Sequence, residues 1–403
     1  MSAAAGGGPE AAAMPARLRA DWLSDPAASA VVAALRAGGA RALFVGGCVR
    51  NALLGLPVTD LDLATDAAPE RVQAMLEAAG LRQVPTGLAH GTVTAVADGR
   101  GFEITTFRRD EETFGRHARV AFGAALEEDA ARRDFTMNAL YAEPDGTLLD
   151  PTGEGLADLA ARRVRFIGDP AARIAEDRLR ILRFFRFFAL YGDAGTGTDP
   201  AGLAACAAAA EGVEALARER IGGEMRKLLG APLPGPAVSA MAGAGVLERV
   251  LPGAEPRALG PLAAAEAAAG VRPDWKRRLI ALGATPEDAA ERLRLSRAES
   301  RALAAIAAAL EAREPAARAA YRHGAEAARD AALLRAAREG TAPPKSLSRE
   351  IARGATADFP VSAKDLIDRG AKPGPALGRR LEALEADWIA SDFKATKGDL
   401  LDG

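Results

Sequence analysis

Leu43-Phe-Val-Gly-Gly-Cys-Val-Arg-Asn-Ala-Leu-Leu-Gly55, followed shortly by Asp60-Leu-Asp62, is the stretch on which the fold of the first part of the chain turns. It reads as a short buried strand, a glycine turn, a helix, and then an extended segment carrying two acids. Side chains at i and i+2 of an extended segment leave the same face, so the carboxylates of Asp60 and Asp62 can close on one divalent-cation site. The competing reading is a solvated turn with an N-cap, since Asp66-Ala-Ala-Pro69 nearby is also acidic and helix-starting. An apolar-bracketed Asp-Leu-Asp-Leu strand, however, puts like charges on one face, which is costly unless a hard cation such as Mg²⁺ sits between them. Gly46-Gly47 before a helix is by itself an ordinary tight turn. With Arg50 behind it and the Asp-x-Asp strand ahead, it becomes a candidate cradle for a polyphosphate.

Further β-rich runs follow at Gly91 to Ala97, Phe102 to Phe107 and Ala139 to Tyr141, with Asp98-Gly-Arg-Gly101 as a hairpin turn signal. From about Pro170 the β-branched runs nearly vanish and Ala, Leu and Arg take over with helical periodicity. The expected class is therefore α+β: a small mixed sheet with flanking helices, followed by an all-helical remainder. Pro/Gly clusters at 230–236, 270–273 and 341–344 mark joints near 230 and 340. The division expected is a lead-in over 1–28, a mixed-sheet part over 29–150, and helical parts over 151–230, 231–340 and 341–403.

The chain has 403 residues, 49% of them hydrophobic, enough to build cores for two or more domains. With 52 basic and 54 acidic side chains the net charge is −2, so any nucleic-acid site must be a local basic face. Cys48 and Cys206 are too few for a disulfide framework or a cysteine zinc site and read as small buried hydrophobes, which fits a reducing cytoplasm. Residues 1–16 are Ala/Gly-rich, unlike a signal peptide, and are expected to form a disordered tail. No segment approaches the roughly 20 apolar residues of a membrane span. Nothing in the sequence implies a protein partner.

Three further groups carry chemistry. Glu103 opens Glu103-Ile-Thr-Thr-Phe107 and is a candidate third carboxylate near the metals, with an exposed edge-strand residue as the alternative. Arg132-Arg-Asp-Phe-Thr-Met-Asn138 concentrates guanidinium groups for phosphate oxygens, a carboxylate for a ribose hydroxyl, and an amide. Glu176-Asp-Arg-Leu-Arg180 is expected to place Asp177 and Arg180 at i and i+3 on one helix face, with Glu176 holding the guanidinium from i−4. An acceptor beside a donor matches the pairing edges of cytosine and adenine and leaves groups unpaired against uracil and guanine. Phe107 to His117 is charge-dense and reads as a loop, either solvated or a lever beside the pocket. His90, His117 and His323 do not cluster, so a histidine metal site is not expected.

Taken in order, Gly46-Gly-Cys-Val-Arg50, Asp60-Leu-Asp62, His90-Gly-Thr92, Glu103 to Arg108, Arg132 to Asn138, Asp150-Pro-Thr-Gly153 and Glu176 to Arg180 resemble the class II CCA-adding tRNA nucleotidyltransferase and bacterial poly(A) polymerase family. The resemblance covers about residues 40 to 190. It implies a nucleotidyltransferase head, a helical neck that selects the nucleotide, and body and tail domains that grip tRNA. It also implies addition of C, C and A from CTP and ATP with Mg²⁺ as cofactor. Residue by residue, it gives Asp60 and Asp62 the metal role. Gly46, Gly47, Arg50, Arg133, Asp134 and Asn138 take the triphosphate and ribose, and Asp177, Arg180 and Glu176 the base. In the tail, Lys364, Arg369, Lys372, Arg379 and Arg380 are candidate RNA contacts. Asn51 departs from the family, which more often has aspartate there. The rivals are a poly(A) polymerase or an A-adding enzyme on the same scaffold, and a non-catalytic RNA-binding relative. Thr86-Gly-Leu-Ala-His-Gly-Thr92 resembles the CCA-adding branch.

Overall fold

The computed structural model of the chain describes residues 14–114 and 117–402; the Ala/Gly-rich start, residues 1–13, lies outside them. The chain divides into two compact units, one of residues 1–228 with 236–250, the other of 229–235 with 251–403.

The first unit holds the strands: β1 Leu43–Val45, β2 Asp62–Thr65, β3 Arg82–Gly87, β4 Thr92–Ala97, β5 Arg100–Thr106, β6 Arg108–Phe114, β7 His117–Phe122, β8 Tyr141–Ala142 and β9 Leu148–Leu149. All but β6 and β7 form one sheet in the order β3-β4-β5-β2-β1-β8-β9. Only β2 and β5 run parallel, and their register sets Asp62 beside Glu103. β4 and β5 meet at the expected turn, where Asp98 and Gly99 both take positive φ, the backbone of a two-residue hairpin. Lead-in residues already join this fold: Leu18 N–H donates to Gly146 O (2.7 Å) and Leu148 N–H to Ala16 O (3.2 Å).

The helices of this unit are α1 Pro26–Ala37, α2 Gly47–Leu53, α3 Pro69–Ala78, α4 Leu126–Ala131, α5 Gly155–Ala160, α6 Pro170–Glu176, α7 Leu179–Tyr191, α8 Pro200–Ala208 and α9 Arg218–Leu229, with α10 Gly235–Gly243 and α11 Val246–Val250 from its second stretch. An Asp-Pro pair starts α1, α6 and α8: Asp25, Asp169 and Asp199 each cap first-turn amides, and the proline occupies a position that needs no donor. α7 is tied to the Arg132–Asn138 segment by aromatic packing. Phe135, fully buried, lies 4.9 Å from both Phe166 and Phe187, and Phe166 stacks on Phe184 at 5.4 Å. Among the described residues the second unit has no strand and is built of helices up to Lys397–Asp402.

Three expectations need correction. The stretch Phe107 to His117, expected as a loop, is largely strand among its described residues: β6 and β7 form a separate two-stranded antiparallel sheet with a register shift between Asp110 and Glu112, and residues 115–116 lie outside the described residues. The strand expected over Ala139 to Tyr141 begins at Tyr141, because Thr136–Asn138 winds into a 3₁₀ turn. Finally, β3 was not expected at all.

Candidate active site

Gly46 ends β1 with φ +70° and ψ −116°, a conformation in which an L side chain is strained. Its N–H donates to Leu140 O (3.0 Å), which ties the turn to the approach to β8 instead of leaving that amide for an anion. The turn carries α2 past it, so that Gly46, Gly47 and Arg50 face a cavity of about 430 Å³. Asp62, Arg132, Arg133, Asp134, Asn138, Asp177, Arg180, Arg183 and Arg220 face it as well. Six arginines and three aspartates thus line one space in a chain whose overall charge is −2. The local cationic face that nucleic-acid or polyphosphate binding requires is here.

Arg50, buried, donates to Asn51 Oδ1 (2.8 and 3.1 Å), Asn138 Oδ1 (2.5 Å) and the Tyr191 hydroxyl (2.8 Å), and lies 4.1 Å from the Tyr191 ring centroid. Asn51, where an aspartate was anticipated from the resemblance, therefore anchors Arg50 as a neutral acceptor and donates to Pro57 O (2.9 Å). Asn138 passes the network on to Asp134 Oδ1 (2.8 Å), which also accepts from Phe135 N–H, while Arg183 grips Oδ2. Burial pushes the Asp134 carboxyl up, but Arg183 and these hydrogen bonds hold it below the usual carboxylate range. Both carboxylate oxygens of Asp134 accept two hydrogen bonds each, so it works here as a keystone between the 3₁₀ turn Thr136–Asn138 and α7 more than as a free acceptor.

Asp62 lines the cavity from β2, whereas Asp60, just before the strand, is exposed and accepts from the Thr59 hydroxyl (2.8 Å). Glu103 is exposed too, but on an interior strand rather than an edge. Burial, then the negative charges of Glu103 and Asp60, push Asp62 up to about 6, with Arg133 opposing them. Among the described residues no group of three or more His, Cys, Asp or Glu is drawn together as a ready metal cage. The hard oxygen donors nevertheless fit divalent cations: an uncompensated acidic face beside a cationic cavity is what bound cations relieve.

A family model described as the poly A polymerase head domain matches residues 42–165. The CCA-adding enzyme of Limosilactobacillus fermentum is 32% identical over 92% of this chain and 96% of its own length. The chain belongs to the CCA-adding tRNA nucleotidyltransferase family. Human mitochondrial CCA tRNA nucleotidyltransferase 1 is 43% identical over a shorter stretch, 46% of this chain and 43% of the human protein. The crystal structure of the Bacillus stearothermophilus CCA-adding enzyme in complex with CTP superposes with a TM-score of 0.76 at 30% identity, covering 91% of this chain and 93% of that one.

Within this family member the stretch Glu176–Arg180, for which base selection is expected, is built differently from the single helix face anticipated. Asp177 lies in a break between α6 and α7, with φ −149° and ψ 107°. Its Oδ1 accepts from Leu179 N–H (3.0 Å), capping the start of α7, and its Oδ2 accepts from Arg220 of α9 (2.7 Å). A carboxylate two residues before a helix competes for the helix's orphan amides, which is why the helical spacing fails. The two side chains still face the same cavity. Arg180 donates to Glu176 Oε2 (2.5 Å), as expected, and also to Arg173 O (2.9 Å) and Arg132 O (3.1 Å). Glu176 itself does not line the cavity.

Sequence reading missed Arg183, Arg220 and Asp129. Arg183 follows Arg180 at i+3 on an otherwise aromatic helix, a signal that was available. Arg220 had none. Lys364, Arg369, Lys372, Arg379 and Arg380 are all exposed in the second unit, and Arg369 is paired with Asp402 (2.6 Å). Burial pushes the Cys48 thiol up to about 11 and Cys206 up to about 12, as small hydrophobes would show.

Proposed function

We propose that this protein is a template-independent RNA nucleotidyltransferase that adds C, C and A to the 3′ end of tRNA from CTP and ATP, releasing pyrophosphate. The observation that carries this reading is the single cavity in which Asp62, an excess of arginines and the Asp177–Arg180 pair face one another. Asp60 and Asp62, with Glu103 near them, would hold two Mg²⁺ ions, which supply activation of the RNA 3′-hydroxyl and neutralisation of the leaving pyrophosphate. Arg132, Arg133 and Arg183 bind triphosphate oxygens, and Arg50 keeps the glycine turn in place beneath them. Asp177 accepts from the exocyclic amino group of C or A while Arg180 donates to the adjacent ring nitrogen. Asp134 and Asn138 order the ribose side of the pocket. In domain terms, residues 29–150 form the head, 151–230 the neck, 231–340 the body and 341–403 the tail. This work belongs in the cytoplasm, and among the described residues no helix is long and apolar enough to cross a membrane.

The test is extension of tRNA ending at the discriminator base, at C and at CC, with single labelled nucleoside triphosphates. Ordered C, C and A addition with arrest supports the proposal. A added only to the CC-ended tRNA makes it an A-adding enzyme, and unarrested A tails make it a poly(A) polymerase.

Arg180→Ala removes the ring-nitrogen donor, so discrimination against UTP and GTP, measured as kcat/KM ratios, is expected to fall by about tenfold to a hundredfold. Unchanged ratios would remove Arg180 from base selection. For the tail, the double variant Arg379→Glu with Arg380→Glu is expected to flatten the plot of log Kd for tRNA against log salt by roughly one to two units. A slope equal to that of the unaltered protein would place the RNA grip elsewhere.

A further inference from the structure

Asp129 ends the acidic run Glu127-Glu128-Asp129 on α4, yet unlike its neighbours it is only 1% exposed. Arg132 donates to its Oδ1 from Nε (2.9 Å) and holds Nη2 2.7 Å from the same oxygen as an ion pair. Arg133 Nη2 (3.1 Å) and the buried Tyr141 hydroxyl (2.7 Å) both donate to its Oδ2. The Tyr141 oxygen in turn accepts from Arg133 Nε (3.1 Å). Burial pushes the carboxyl up, but Arg133 and Arg132 bring it below the usual range, so it is an anion at neutral pH.

Both arginines held this way are cavity-lining residues, and the carbonyl of Arg132 also accepts from Arg180. The i, i+3, i+4 spacing lets one carboxylate at the end of α4 brace two guanidinium groups that would otherwise repel each other and sweep many rotamers. Ordering them in advance removes that cost from the moment an anion binds. Charge balance also matters: an interior anion behind the arginines lets them stand close together on the cavity wall.

We infer that Asp129 is a positioning residue that holds Arg132 and Arg133 in place for the triphosphate. The inference rests on the reading of this cavity as the triphosphate site. It touches no reacting atom itself.

The test compares Asp129→Asn, the pair Arg132→Gln with Arg133→Gln, and all three together. The readouts are KM for CTP, kcat, the inhibition constant of pyrophosphate, tRNA affinity and thermal melting. Asp129→Asn is expected to raise the CTP KM and the pyrophosphate inhibition constant by about tenfold with tRNA affinity unchanged. In the arginine-free background it is expected to add no more than about twofold, because the carboxylate acts only through those side chains. If the arginine variant weakens CTP binding but Asp129→Asn does not, or costs the same in both backgrounds, the positioning role is overturned while the triphosphate reading stands. If none of the variants changes CTP or pyrophosphate binding, the triphosphate reading itself fails, and the inference with it. Should Asp129→Asn not fold, Tyr141→Phe removes one donor to Asp129 and the acceptor of Arg133 Nε. It is expected to raise the CTP KM by about threefold, and an unchanged KM overturns the role.

Discussion

Asp62→Ala is expected to lower the rate of nucleotide addition by about a thousandfold or more, with tRNA affinity and melting temperature close to those of the unaltered protein. Asp62 is the acidic side chain that reaches the cavity from the sheet, and burial together with Glu103 and Asp60 already makes its charge expensive. A bound divalent cation would relieve that cost. Phosphoryl transfer leaves little covalent work for side chains, so loss of the group that organises charge neutralisation falls on the chemical step. Single-turnover extension of a CC-ended tRNA with ATP isolates that step. Glu103→Gln in parallel is expected to cost far less, about tenfold, since Glu103 is exposed and outside the cavity wall. Substantial turnover by Asp62→Ala in excess Mg²⁺ would sink the metal assignment, and equal losses for both variants would make Glu103 a full partner.

How much of this fold was legible depends on where local rules and tertiary demands agree. β1, β2, β4 and β5 are interior strands whose apolar runs had to be buried, and the positive-φ turn between β4 and β5 announces itself in Asp98-Gly99. β3 did not announce itself. It is an edge strand, Arg82-Gln-Val-Pro-Thr-Gly87, with a proline inside it and a register irregularity between Val84 and Gly87. Proline in such a run normally argues against a strand and is tolerated only at an edge or bulge. The β6–β7 pair was hidden for a related reason: outside the main sheet, its charged sequence lacks the alternation by which a half-buried strand is recognised.

The site divides along a similar line. Residues whose chemistry faces the cavity, such as Asp62, Arg133, Asn138 and Arg180, stand in short, dense clusters and can be singled out by type and spacing. Residues that hold them are scattered. Arg220 reaches Asp177 from 43 residues away, and Arg183 reaches Asp134 from 49. Asp129 stands third in a run of acids in the first turn of a helix, and its i+3 and i+4 spacing to Arg132 and Arg133 is what distinguishes it. Asp134 shows the opposite error: its type suggests a ligand acceptor, but its oxygens are occupied by its neighbours. Sequence shows which side chains can do chemistry, and only the packed structure shows which of them are free to.

Glu266→Ala is expected to destabilise the protein by about 3–5 kcal/mol, a loss as large as any single substitution outside the active site should give. Glu266, 3% exposed on the helix Leu259–Ala268, is flanked by two fully buried guanidinium groups. Arg277 donates to its Oε1 (2.6 and 2.9 Å) and Arg278 to its Oε2 (2.7 and 3.2 Å). Arg277 also reaches Asp330 (2.5 Å), and Arg278 gathers the carbonyls of Leu229, Ala231 and Pro232. Lys276-Arg-Arg278 would pass in sequence for a patch that touches RNA phosphates, but two of its three cations are sealed inside the second unit and organise its own chain. Removing the carboxylate leaves Arg278 with backbone carbonyls, which carry no net charge, and leaves Arg277 to Asp330, which also faces Arg329. Denaturant unfolding is the measurement. A loss below about 1 kcal/mol would mean water or a shifted side chain compensates the guanidinium groups. Nucleotide addition below the unfolding transition is expected to survive, which separates this scaffold role from the chemistry at Asp62.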